Sequence, residues 1–407
     1  MKRIIYAAYA IILAAAIAGT AFAQEFKLDG YINSGLGLVI TDRQESDGSG
    51  GAQNVDPYLT AFGVDSEQWG YRFRLNGSYA NEAKTAGVKL RLQAQSKTDK
   101  DSASPVVSLP IAYGWMSFFN VFTLNAGIID DGSWNSGGAM LDDDMGEGLG
   151  LLLKAAPAPG LDLGAGAYAI SSLGSGDNNT LAAGINKNLI NLSGVKYTFN
   201  VGYTLPDAFK LTATFRPKND AGGSSNRDES MKAIIGLRLL AVKNLVAVVE
   251  AELDNLEEFD PKGKITIYET IGCKIGDWSF GLNAGEYILA KENAGLGIRL
   301  NPWVSGAFGA IVPRIDIVYF MGGKIDGSDN DEEGKYHRKG YAPTNNTGDS
   351  VIAIRPSVKF NIGGRSTLEI GDVASFEQWH EDYYGVNGHK KKSKITNVFY
   401  IDVKWSF

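Results

Sequence analysis

The chain has 407 residues, with 46 acidic against 39 basic side chains, a formal net charge of −7 and a mean hydropathy of −0.12. That balance argues against nucleic acid or an anionic membrane surface as partner, and the single cysteine, Cys273, excludes an intramolecular disulfide. The composition is rich in Gly (50), Tyr (18), Phe (18) and Trp (7), as expected where every lipid-facing residue alternates with a wet one.

In chain order, Lys2 and Arg3 come first, then an apolar run from Ile4 to Ala18, then Ala21-Phe22-Ala23. These are the basic start, apolar middle and small-x-small end of a secretory signal peptide, predicting cleavage after Ala23. The rival, a retained anchor helix, needs about 18 or more apolar residues. No later stretch is long enough to span a bilayer as a helix.

From Gln24 onward the period is two. Phe26, Leu28, Ile32, Leu36, Leu38 and Ile40 share one face, with Lys27, Asp29 and Asn33 on the other. Trp69, Tyr71, Phe73, Leu75 and Tyr79 alternate with Arg72, Arg74, Asn76 and Ser78, and Val88, Leu90 and Leu92 with Lys89, Arg91 and Gln93. Alternation also fits a soluble sandwich. These segments run to about ten residues or more, however, where strands of soluble proteins have about five or six, and their second face carries full charges.

Eighteen such segments are predicted, at 26–40, 68–80, 86–97, 110–119, 121–129, 147–156, 161–171, 193–205, 209–217, 229–240, 244–254, 263–275, 277–288, 293–302, 310–321, 350–362, 365–375 and 395–407. Their connections alternate in length. Short turns at 81–85, Phe119-Asn120, Pro157 to Gly160, Leu205 to Asp207, Val242-Lys243, Gly276-Asp277 and Gly363-Gly364 interleave with long loops at 41–67, 130–146, 172–192, 218–228, 322–349 and 376–394. That sorting is expected of an outer-membrane barrel with short periplasmic turns and longer external loops. The pattern is weakest over 255–310, with a short outer loop at 289–292 and a long inner turn at 303–309, so sixteen strands is the alternative count. The fold class is thus all-β, an antiparallel up-and-down transmembrane barrel, with 24–407 as one domain.

The last strand puts Phe399, Ile401, Val403, Trp405 and the terminal Phe407 on one face, against Tyr400, Asp402, Lys404 and Ser406. An alternating aromatic final strand ending in Phe resembles the segment by which bacterial outer-membrane proteins are recognised and inserted. In architecture the mature chain resembles a bacterial general porin. The resemblance implies passive diffusion of small hydrophilic solutes and ions, outer-membrane lipid as surroundings, and a homotrimer as a common assembly.

The faces opposite the apolar ones carry Lys27, Arg72, Arg74, Lys89, Arg91, Lys196, Lys210, Arg216, Lys232, Arg238, Arg299, Arg314, Arg355 and Lys359, with fewer acids in Asp29, Glu250, Glu252, Asp316 and Asp402. Each charge alone is explained by solvation of a wet interior. As a group their sign predicts a mild anion preference through the field of the wall. The third external loop holds Asp130, Asp131, Asp142, Asp143, Asp144 and, at its end, Glu147. By the resemblance, it folds inward and sets these acids against Arg72, Arg74, Lys89 and Arg91; the alternative is a solvated outer loop.

Trp69, Tyr71, Trp115, Tyr203, Phe209, Trp303, Tyr319 and Trp405 fall near strand ends and read as interfacial girdles. Cys273 has lipid-facing parity and no reactive role, and Glu269, with the same parity, suggests a local bulge. The acidic run Asp326, Asp329, Asp331, Glu332 and Glu333 lacks the spacing of a calcium loop. All three histidines, His337, His380 and His389, lie in the last two external loops, and no nucleophile, metal-ligand or phosphate-loop motif accompanies them. No enzyme activity, metal or cofactor is therefore expected. A different class of function, an adhesin or structural barrel working through its long loops, is the alternative, although Gly-, Ser- and Asp-rich loops lack the aromatic anchors that dominate interfaces. A carrier of hydrophobic substrates would need an apolar lumen and a plug, and neither is visible.

Overall fold

The computed structural model describes residues 25–41, 44–46, 52–54, 57–62, 69–97, 106–129, 148–169, 195–218, 230–258, 263–289, 297–321, 348–379 and 393–407. The leader at 1–23 lies outside these, as do Asp130, Asp131, Asp142, Asp143, Asp144, Glu147, the acidic run at 326–333 and the three histidines.

The alternating segments form one closed, antiparallel barrel of 18 strands in sequence order. β1 is Glu25–Thr41, β2 is Tyr58–Phe62 continued by Trp69–Ala80, and β3 is Ala86–Lys97. β4 to β7 are Val106–Phe118, Phe122–Ile129, Gly148–Ala158 and Leu161–Ala169. β8 to β11 are Val195–Leu205, Phe209–Arg216, Lys232–Leu239 and Leu245–Asp254. β12 to β15 are Lys264–Ile275, Trp278–Leu289, Gly297–Gly306 and Ile311–Met321, and β16 to β18 are Gly348–Gly363, Ser366–Trp379 and Ser393–Ser406. Every second connection is a turn of a few residues, and Glu25 and Phe407 sit at the same end as those turns. The sixteen-strand alternative is thereby removed.

Differences from the sequence reading are local. Part of the 41–67 loop is strand: Tyr58–Phe62 pairs with Gly35–Val39, directly beyond the pairing of Trp69–Ala80 with Glu25–Ser34. β4 starts at Val106 rather than 110, with a register shift opposite Arg91 and Gln93. β14 continues to Gly306, so the inner turn is 307–310 and not 303–309. Glu269 lies in unbroken register, opposite Val249 on one side and Ala284 on the other. The expected bulge is absent there and the carboxylate belongs to the outer face.

The ring closes through β1 and β18, from Tyr31 opposite Ser406 to Thr41 opposite Thr396. At its foot, Gly30 and Phe407 exchange backbone hydrogen bonds of 3.1 and 3.0 Å. Gly30 is needed there: a Cβ would stand 2.8 Å from Phe407 Cζ, so the bare backbone lets the terminal ring lie across it. Closure satisfies backbone donors and acceptors that hydrocarbon would leave unpaired. The outer face is a solvent-exposed apolar band that includes Leu28, Ile32, Leu36, Ile235, Leu237, Ile352 and Ile401. At the turn end, Phe119 and Asn120 both take positive φ, 57° and 54°, within the three-residue turn 119–121 between Phe118 and its partner Phe122. Phe118 and Phe122 stack at 5.6 Å beside it. Buried apolar side chains instead face inward in two patches. One is Val39, Val318, Ala353, Val373, Val398 and Tyr400; the other is Ile129, Leu152 and Tyr168, with Tyr113 against it.

Candidate functional site: the inner wall

Because side chains alternate, the register fixes which of them face the lumen. Across β1, β2 and β3 four rows lie one above another: Lys27–Ser78–Lys89, Asp29–Asn76–Arg91, Tyr31–Arg74–Gln93 and Asn33–Arg72–Gln95. The rows are laced by hydrogen bonds. Asn76 Nδ2 donates to Asp29 Oδ1 at 2.7 Å, and Arg91 Nε donates to Asn76 Oδ1 at 2.9 Å. Arg74 donates from Nε and Nη2 to Gln93 Oε1 at 2.8 and 2.5 Å. Tyr31 presents its ring to Arg74, 5.6 Å from the guanidinium carbon, and to Lys404, 4.5 Å from Nζ. These amide bonds fix where each guanidinium points.

Elsewhere on the wall charges are matched. Lys232 lies 2.7 Å from Glu252 and 3.9 Å from Asp254, with Arg216 in register beside it. β11, which carries Glu250, Glu252 and Asp254, is nine strands from β2 in a ring of 18, so this sector faces the arginine rows across the lumen. On β15, Arg314 grips Asp316 with two bonds of 2.6 and 2.7 Å and lies 4.6 Å from the Trp303 ring. Lys359 pairs with Glu369 at 3.2 Å, and Tyr400 Oη donates to the same carboxylate at 2.9 Å. Glu250, Glu252, Lys232 and Asp316 are all buried.

No family model matches the sequence, and no curated protein does. Among solved structures the chain is similar to the outer membrane protein OpdK of Pseudomonas aeruginosa, at 10% identity over 94% of this chain and 99% of that one, with a TM-score of 0.53. It is also similar to OccK11 (OpdR) of the same organism, at 9% identity over 94% and 96% of the two chains, with a TM-score of 0.51. The fold is that of the outer-membrane porins.

Within this barrel, Arg72, Arg74, Lys89 and Arg91 come together on one inward patch. Arg314 and Asp316 lie five strands from β2 and form their own ion pair. The expected acidic counterparts in 130–147 lie outside the described residues. Trp115 and Trp303 correct the girdle assignment: both face inward, Trp115 where Gly87 has no side chain and Trp303 over Gly281, where a Cβ would collide with the indole. Their position near strand ends suggested a girdle, but parity decides, since Trp303 follows Arg299 and Asn301 on the lumen side. Lys154, Lys274, Asp162 and Glu369 also face inward and were missed, although the same alternation runs through them.

Proposed function

We propose that the protein is a porin of the bacterial outer membrane, exported by its 1–23 leader, through which small hydrophilic solutes and ions diffuse with a mild preference for anions. One observation carries the reading: a closed 18-strand barrel with an apolar outer face has a polar inner wall on which, among the described residues, bases outnumber acids. Barrels of about 16–18 strands are wide enough to enclose water.

The constriction in this reading comes from residues 130–147, with Asp130, Asp131, Asp142, Asp143, Asp144 and Glu147 set against Arg72, Arg74, Lys89 and Arg91. Its support is the inward apolar patch of Ile129, Leu152 and Tyr168, each 0% exposed. Apolar surface on the wall of a wet lumen needs a cover, and the chain that leaves β5 at Ile129 and returns at Gly148 is rooted beside it. Recording in planar bilayers tests the reading. The protein is expected to give stepwise conductance, and Arg72→Gln/Arg74→Gln to shift the reversal potential in a salt gradient toward cations. Absence of steps removes the channel; an unmoved reversal potential removes these arginines from selectivity.

A further inference from the structure

We propose that, beyond the arginine rows of β2 and β3, a second set of wall charges acts on permeating ions at the periplasmic mouth, where a ring of cations collects anions and makes conduction asymmetric. The inference rests on the channel reading and adds where the charge acts. Inner charges differ by level. Far from the short turns, Lys196, Arg216, Lys232 and Arg299 are 8% exposed or less, and Lys232 is held by Glu252 and Asp254. Buried, matched groups contribute little field to a solute.

At the turn end the picture reverses. Lys27, Lys89, Lys210, Arg238, Lys274 and Lys404 all face inward within four residues of a strand end there, on β1, β3, β9, β10, β12 and β18. They are distributed around the circumference, and none is buried. The carboxylates of this level are Asp29, Asp162, Asp402 and Glu369, the last paired with Lys359, and the rim adds Glu82, Asp207, Asp277 and Glu25, the last against Lys27 and Lys84, so bases remain in excess. Among the described residues no carboxylate pairs with Lys89, Lys210, Arg238 or Lys274. Lys210 and Arg238 stand directly opposite each other on adjacent strands, a like-charge juxtaposition that costs stability and so is not explained by folding.

A ring of this kind acts through its summed field. The Debye length is about 10 Å at about 0.1 M salt and about 3 Å at about 1 M, so at low salt the rim charges overlap across the mouth, enriching anions and repelling cations. When the periplasmic side is negative, anions enter through the selective mouth while cations arriving from outside are held behind it. Both accumulate and conductance rises. Reversing the voltage empties the lumen of both.

Planar-bilayer recording of the mature chain, inserted from one side, tests this at about 0.1 M and about 1 M KCl. Inorganic triphosphate, added to each chamber in turn, identifies the cationic mouth by blocking from that side. The expected result is a larger current when that chamber is negative, with the asymmetry collapsing at high salt. Lys210→Gln/Arg238→Gln/Lys274→Gln, which removes half of the ring, is expected to reduce the asymmetry and to weaken the one-sided block. A symmetric current from the unaltered protein at low salt, or asymmetry that survives high salt or is undiminished by the triple substitution, overturns the proposal while leaving a channel in place. The salt series needs no variant, so misfolding of the triple substitution does not shelter the idea. Absence of any conductance instead sinks the channel reading on which it rests.

Discussion

Glu269 stands between Ile267 and Ile271 on the outer side of β12, opposite Val249 and Ala284, in register without a break. A carboxylate in that position meets hydrocarbon, and its cost depends on depth and is smaller than that of a base. Glu286, on the neighbouring strand opposite Ile267 and Ile298, has the same parity and is exposed. Replacing one such carboxylate by an apolar side chain removes the desolvation cost and nothing else that the barrel uses. Glu269→Leu is therefore expected to raise stability toward urea in lipid vesicles by on the order of 1 kcal/mol. A loss of stability of that size would mean that the carboxylate is satisfied by a group from outside the chain.

Among the elements, β14 shows how one residue hides a strand boundary and another repairs the damage. Its pairing with β15 runs through Leu300 opposite Tyr319 and resumes at Trp303 opposite Asp316, leaving Asn301 and Pro302 without ladder partners. Proline has no N–H to donate, and Asn301 Nδ2 donates to the Ile317 carbonyl, opposite Pro302, at 3.0 Å. Asn301 is buried, so losing its amide strands a carbonyl. Asn301→Ala is expected to cost about 1–3 kcal/mol, read by urea unfolding, and Pro302→Ala added to it to recover part of the loss by returning a backbone N–H. Full stability of the single substitution would show that Ile317 has another donor. The same strand marks where the fold was legible. β1, the Trp69–Ala80 part of β2, β3 and β18 were readable because long alternation and a terminal Phe leave one solution. β14 was misplaced because Pro302 reads as an end, and the patching amide cannot be recognised without its cross-strand neighbour. For the wall, alternation alone assigned Arg72, Arg74, Lys89 and Arg91 to one side. That Arg314 spends its charge on Asp316, and that Trp303 turns inward over Gly281, depends on register between strands, which no single segment encodes.

At the scale of the whole molecule, the closed ring separates charge that holds the wall from charge that faces the lumen. Arg74 and Arg91 are positioned by neutral amides on β2 and β3. Half a circumference away, Lys232 is 10% exposed at its side chain and sits between Glu252 and Asp254. Removing one member of a buried pair leaves its partners desolvated and unmatched, which costs about 3–5 kcal/mol, whereas neutralising a partly exposed wall arginine costs little stability and alters the field that ions cross. The two kinds of substitution therefore separate. Lys232→Met is expected to lower stability toward urea by about 3 kcal/mol while leaving the reversal potential of the folded fraction in place, and Arg72→Gln/Arg74→Gln to move the reversal potential with a small change in stability. Both are measured on the same preparations, by unfolding in vesicles and by bilayer recording in a salt gradient. If Lys232→Met shifts selectivity as strongly as the arginine pair does, the matched sector is open to the permeating ions, and the division of labour around the ring is wrong.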